Sequence, residues 1–110
     1  MRVLIVVVTF LAAGCSANSQ YSAPWTVRSV EKAYEARDAC LIRHAVPYVG
    51  SNSDATSVGP AISANCHAET NALISSSNPH NDPDITAAIR QDSDFRATGY
   101  VLKVRGRYYD

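Results

Sequence analysis

RSVEKAYEARDACLIRHAVPYVGSNSDATSVGPAISANCHAETNALIS, residues 28–75, holds the reading on which the fold turns. Starting just ahead of it, Val27, Val30, Ala33, Tyr34, Cys40, Leu41 and Ala45 recur at intervals of three and four, the spacing of one helical face. Glu31, Lys32, Glu35, Arg37 and Asp38 fall mostly on the other face. Thr26 or Ser29 supplies a cap for the start. Pro47 biases Val46 away from helical backbone, so the helix is expected to end near Ala45. After a loop at Gly50–Ser53, a second helix is expected to start at Ser53, Asp54 or Ser57, all good caps, with Ser57 favoured because Pro60 then falls in the first turn, where a missing N–H costs little. Val58, Ile62, Cys66, Glu69 and Leu73 share one face of it, with Ala61, Ala68 and Ala72 alongside, and Ser75 to Pro79 ends it. The stretch thus reads as a helical hairpin with Cys40 and Cys66 on the two facing apolar sides.

A third helix follows. Asp82-Pro83-Asp84 combines a capping acid, a proline at the first position and acid in the first turn. Ile85, Ala88, Ile89, Asp92, Phe95, Gly99 and Leu102 then keep helical spacing. Gly99 on that face would let another helix approach, or would end the helix. In the second case Tyr100, Leu102 and Val104 would alternate as a strand over residues 98–108, but no partner strand is evident, and a continuous helix to about Arg105 is expected. The expectation is an all-α, three-helix domain over residues 26–110.

Ahead of it, Met1-Arg2 gives one positive charge, Val3 to Ala13 is apolar except for Thr9, and polarity rises sharply after Gly14-Cys15-Ser16. That is the order of a secretory signal, and the run is shorter than the roughly 20 apolar residues a spanning helix needs. The cysteine following Ala12-Ala13-Gly14 resembles the lipobox of bacterial lipoproteins, with Ala12 standing where that family usually has Leu. The resemblance covers residues 1–16 alone. It implies cleavage after Gly14, diacylation of Cys15 on sulfur, and a mature chain beginning at that residue. Ser16 after the cysteine implies the outer membrane, periplasmic face, rather than the inner membrane. The alternative is a plain signal peptide cut near Ala17. Residues 15–25 read as the anchor and a flexible tether, reaching about 30 Å when extended.

Export bears on the cysteines. A cysteine pair in an exported domain is normally oxidised, so Cys40 and Cys66 are expected as a disulfide. The other reading is a metal held by Cys40, His44, Cys66 and His67. Cys40 and His44 share a helix face, whereas Cys66 and His67 are about 100° apart around a helix and do not both point inward. His67-Ala68-Glu69 with Asn71-Ala72 also resembles the zinc-binding helix of cytidine and deoxycytidylate deaminases, where the His binds zinc and the Glu shuttles protons. That chemistry needs two further ligands from a downstream Pro-Cys-x-x-Cys, and no cysteine follows Cys66, so the resemblance ends there.

The 110 residues carry ten basic and ten acidic side chains. Bulk charge therefore argues neither for nor against a nucleic-acid or acidic partner, and none of nucleic-acid type is expected. Arg96, Lys103, Arg105 and Arg107 occur without an acid between them, interleaved with tyrosines, and are candidates for contact with an anionic surface such as lipopolysaccharide. No serine–histidine–acid pattern or phosphate loop stands out. No catalytic residue and no cofactor is expected. The function expected is a structural or interaction role in the cell envelope, with partners at the membrane through the lipid anchor and in another envelope protein; the alternative is a metal-handling or enzymatic periplasmic protein using the cluster of Cys40, His44, Cys66 and His67.

Overall fold

The computed structural model describes residues 24–106. Cys15, the signal-like segment and Arg107 lie outside those residues. Among the described residues there are four α-helices and no strand: α1 (Pro24–Ala45), α2 (Ala55–Asn65), α3 (His67–Ser77) and α4 (Pro83–Val104), with a short 3-10 turn at Val46–Tyr48 after α1. The domain is all-α, as expected, with one more helix than the periodicity suggests. None of these helices is long and apolar enough to cross a membrane.

The extra helix arises because the expected second one is broken at Cys66, whose backbone leaves the helical region (φ −103, ψ 23). The break lets the two halves take different partners. α2 packs mainly on α4, and α3 packs mainly on α1. A straight rod would hold both halves to one neighbour. The capping also differs from expectation. Asp54, not Ser57, starts α2: its carboxylate accepts from the Thr56 N–H, the Thr56 hydroxyl at 2.6 Å and the Ser57 hydroxyl. Pro60 is therefore inside the helix, on its exposed side. The Asp54 carboxyl is held below the ordinary carboxylate range, first by the Thr56 hydroxyl and then by the Thr56 backbone.

α1 starts at Pro24, two residues before the expected domain boundary, and ends at Ala45 as Pro47 predicts. α4 begins with Asp82 capping the Asp84 N–H at 2.9 Å and Pro83 in the first turn. The preceding turn is pinned by Asn78, which is buried. Its amide accepts from the Asp82 N–H and donates to the Asp82 carbonyl and the Thr86 hydroxyl. α4 then runs without interruption through Gly99 to Val104, so the helix expected there is present and the strand is not.

The core gathers Cys40, Leu41 and Ala45 of α1, Ala55, Val58 and Ile62 of α2, Cys66 at the break, and Ala97 and Val101 of α4, with Tyr48, Tyr100 and Leu102 packed around them. On α4 the buried row is Ile89, Ser93, Ala97 and Val101, each four residues from the last. This corrects the face read from the sequence: Phe95 is 75% exposed and Ile85 is also exposed. The two glycines trade roles as well. A Cβ at Gly99 would meet nothing within 4 Å. A Cβ at Gly59 would lie 2.9 Å from the Thr98 nitrogen, so the close helix approach is made by α2 onto α4 at Gly59. Small residues at such a crossing let two backbones meet.

Candidate functional site

Two clusters adjoin one another on the inner side of α1. The first is the disulfide between Cys40 and Cys66, whose Cα atoms are 5.9 Å apart. Both residues are buried, and the bond ties the last third of α1 to the junction of α2 and α3. His44, one turn beyond Cys40 and half-buried, brings a ring nitrogen to the same place. The three potential donor atoms of Cys40, His44 and Cys66 all lie within 4.8 Å of one another. His67 is not among them. It is exposed on α3 and faces a separate groove of about 210 Å³ with Pro60, Ser63, Ala64, Thr70, Arg90 and Asp94. That groove assembles serine, histidine and acid, but among the described residues no hydrogen bond joins Ser63, His67 and Asp94. It lacks the nucleophile–base contact that activates a serine.

The second cluster, one turn earlier on α1, centres on Arg37. Its side chain has no exposure. Its Nε and Nη2 donate to Asp38 Oδ1 at 3.2 and 3.1 Å, and its Nη1 donates to Asp92 Oδ2 at 3.0 Å and the Ser93 hydroxyl at 3.3 Å. Its Cζ lies 4.9 Å from the centre of the Tyr34 ring, a cation–π distance. Arg96 closes the ring of charges by donating to Asp92 at 2.9 Å and Asp38 at 3.4 Å. Two guanidiniums and two carboxylates thus alternate, with no net charge. Burial pulls the Arg96 guanidinium down, but the Asp92 charge and hydrogen bond, with Asp38 behind them, more than offset it, so it sits above its ordinary value. Tyr100 beside them is pushed up by burial first and by the Asp38 charge second. Ser93 extends the network to a third helix, accepting from the Thr70 hydroxyl at 3.4 Å and donating to the Ile89 carbonyl at 3.0 Å.

Arg37 was expected on the solvated face and is instead the most completely enclosed charge described here. One sequence signal points to it. Counting from Tyr34, it falls three residues on and Leu41 seven on, inside the apolar row. Its partner Asp92 gives no such signal, since it lies beside the buried row of α4 with its side chain 40% exposed.

The basic residues of the C-terminal end divide. Arg96 belongs to the charge ring. Arg105 is turned inward, its Nε donating to the Tyr48 carbonyl at 2.9 Å and its Nη1 to the Ser53 carbonyl at 2.7 Å, which clamps the loop between α1 and α2. Lys103 is exposed and makes no ion pair among the described residues. It borders a shallow cavity of about 360 Å³ along the outer side of α4, lined also by Phe95, Gly99, Leu102 and Tyr100.

Protein-family models, curated proteins and solved structures were all compared with this chain, and none matches it.

Proposed function

We propose that this chain is a small lipoprotein of the cell envelope, held through diacylated Cys15 at the periplasmic face of the outer membrane, with a structural or interaction role and no catalytic one. The observation that carries the reading is the disulfide at the centre of the core. A buried Cys–Cys bond is the chemistry of an exported domain, and it agrees with the signal-like order of residues 1–16. A domain this small gains a large part of its stability from such a bond.

The interaction surface in this reading is the outer side of α4. Phe95, the open position at Gly99 and Leu102 form an apolar strip bordered by Lys103. Its occupant is a protein partner offering an apolar ridge with an acidic flank, which would fill the strip and pair with Lys103. An anionic polymer is the poorer fit, since Arg96 and Arg105 are engaged within the protein.

Intact mass after detergent extraction tests the anchor. The expected species begins at Cys15 and carries acyl chains, and Cys15→Ser releases the protein from the membrane fraction. A mature chain with an unmodified N-terminus at Ser16 or beyond would overturn the reading.

A further inference from the structure

The group formed by Cys40, His44 and Cys66 has more donors than a structural disulfide needs. Oxidised, the two sulfurs satisfy each other, and the cluster offers a metal only the His44 ring. Reduced, it offers two thiolates and an imidazole, whose donor atoms in the disulfide form already lie within 4.8 Å of one another. Zinc takes sulfur at about 2.3 Å and imidazole nitrogen at about 2.0–2.1 Å in a tetrahedron, which sets the sulfurs about 3.8 Å apart and each sulfur about 3.6 Å from the nitrogen. From within 4.8 Å, the nitrogen must come in by about 1 Å at most, and the sulfurs must part to that separation from their bonded distance. Rotation about the two Cα–Cβ bonds supplies the second movement, since the Cα atoms are 5.9 Å apart. Cys40 and His44 need no rearrangement of the helix, because residues four apart on α1 already share a face. Cys66 stands at the α2–α3 break with its N–H donating to the Ser63 carbonyl and its carbonyl accepting from the Thr70 N–H, so its movement is a side-chain rotation.

We infer that the domain contains a redox-gated zinc site: Cys40 and Cys66 form a disulfide when oxidised and, when reduced, bind one Zn2+ together with His44. The steps balance. A dithiol reductant donates two electrons and two protons, the Cys40–Cys66 bond becomes two thiols, and the reductant becomes its own disulfide. Zn2+ then displaces both thiol protons to solvent and takes the lone pair of one His44 nitrogen. Three protein ligands leave the fourth position to water or to an outside donor. His67 takes no part, since it lies on the exposed side of α3. In the reduced chain the ion does the mechanical work of the disulfide, joining α1 to the α2–α3 junction, and so holds the fold before oxidation. The site does not rest on the envelope reading, and each can fail without the other.

The test uses the full chain, reduced with a dithiol, freed of reductant without oxygen, and titrated with Zn2+ against a chromophoric chelator. Co2+ serves as a spectroscopic substitute. The reduced chain is expected to bind one Zn2+ and to melt at a higher temperature with it. With Co2+ it is expected to show a thiolate charge-transfer band and the intense visible bands of a tetrahedral ion. The oxidised chain is expected to do neither. His44→Ala is expected to weaken binding at least tenfold, and His67→Ala to leave it unchanged. Both variants keep the cysteines, so oxidised melts establish that they fold. Failure of the reduced chain to take up zinc, equal binding by the oxidised chain, or indifference to His44→Ala would each overturn the assignment.

Discussion

Cys40 and Arg37 lie three residues apart on the same side of α1, and each anchors that helix by different physics. Cys40 ties it covalently to the junction of α2 and α3. Arg37 ties it to α4 through Asp92 and Ser93, with charge and hydrogen bonds in place of a bond. The covalent tie acts largely by restricting the unfolded chain, whatever the native surroundings. The ionic tie depends wholly on them: removing a guanidinium from water costs several kcal/mol, and only full pairing repays it. Arg37 meets that condition, because Asp38, Asp92 and Ser93 take its donors and Tyr34 covers its face. The contrast predicts that the first tie tolerates changes around it and the second does not.

The largest expected effect is loss of the disulfide. The bond closes a 26-residue separation, for which loop entropy gives about 3.5 kcal/mol. Cys40→Ser and Cys66→Ser are each expected to lower the melting temperature by on the order of 15 °C. The double variant should be no worse than either single one, since all three remove the same link. Additive losses in thermal melts would mean that the cysteines stabilise separately, and the covalent half of the comparison would fall.

Arg37→Ala comes next, with a loss of about 3 kcal/mol, because it empties a filled site and deprives two carboxylates of their buried partner. Arg37→Met fills the same space without charge, and Arg96 still pairs with Asp92 and Asp38, so it should cost clearly less than Arg37→Ala. Urea unfolding of the two variants checks the order. Equal losses would show that the space filled by Arg37 is irrelevant and the ion pair is everything.

These two ties were not equally legible in the sequence. Two cysteines on apolar faces of neighbouring helices announce a link, and periodicity over residues 27–45 and 58–73 places them. Arg37 hid because a charged residue between Glu35 and Asp38 reads as solvated surface, and pairing partners 55 and 56 residues away leave no local trace. The buried row of α4 hid for a related reason. Ser93 and Ala97 carry little hydrophobicity, whereas Ile85 and Phe95 carry much and stay exposed. Small residues are buried there because α4 is approached closely from more than one side. The break at Cys66 left no signal either: Ser63-Ala64-Asn65-Cys66-His67 contains no proline or glycine, and the interruption comes from the different partners of α2 and α3. Of the candidate site, His44 was legible from its spacing to Cys40, whereas His67, read from the sequence as a further member of the cluster, is placed on the exposed side of α3 beyond the break at Cys66.

A third kind of tie, neither covalent nor ionic, holds α2 on α4, and two glycines isolate it. Gly59 faces Thr98 so closely that an added methyl would lie 2.9 Å from its nitrogen and 3.0 Å from its Cα. Those are backbone atoms of a long helix, and they yield only if the whole crossing widens. Gly59→Ala is therefore expected to destabilise by about 2 kcal/mol through overpacking, despite the better helix propensity of alanine. Gly99 is also inside a helix, but a methyl there would meet nothing within 4 Å, so only propensity acts. Gly99→Ala is expected to stabilise by about 0.5–1 kcal/mol. One substitution, made at two glycines in facing helices, should thus change sign with position. Chemical denaturation of the two variants measures both. If Gly59→Ala proved as harmless as Gly99→Ala, the α2–α4 crossing would be loose enough to absorb a methyl. Close contact would then cease to count as a tie comparable with the disulfide and the buried arginine.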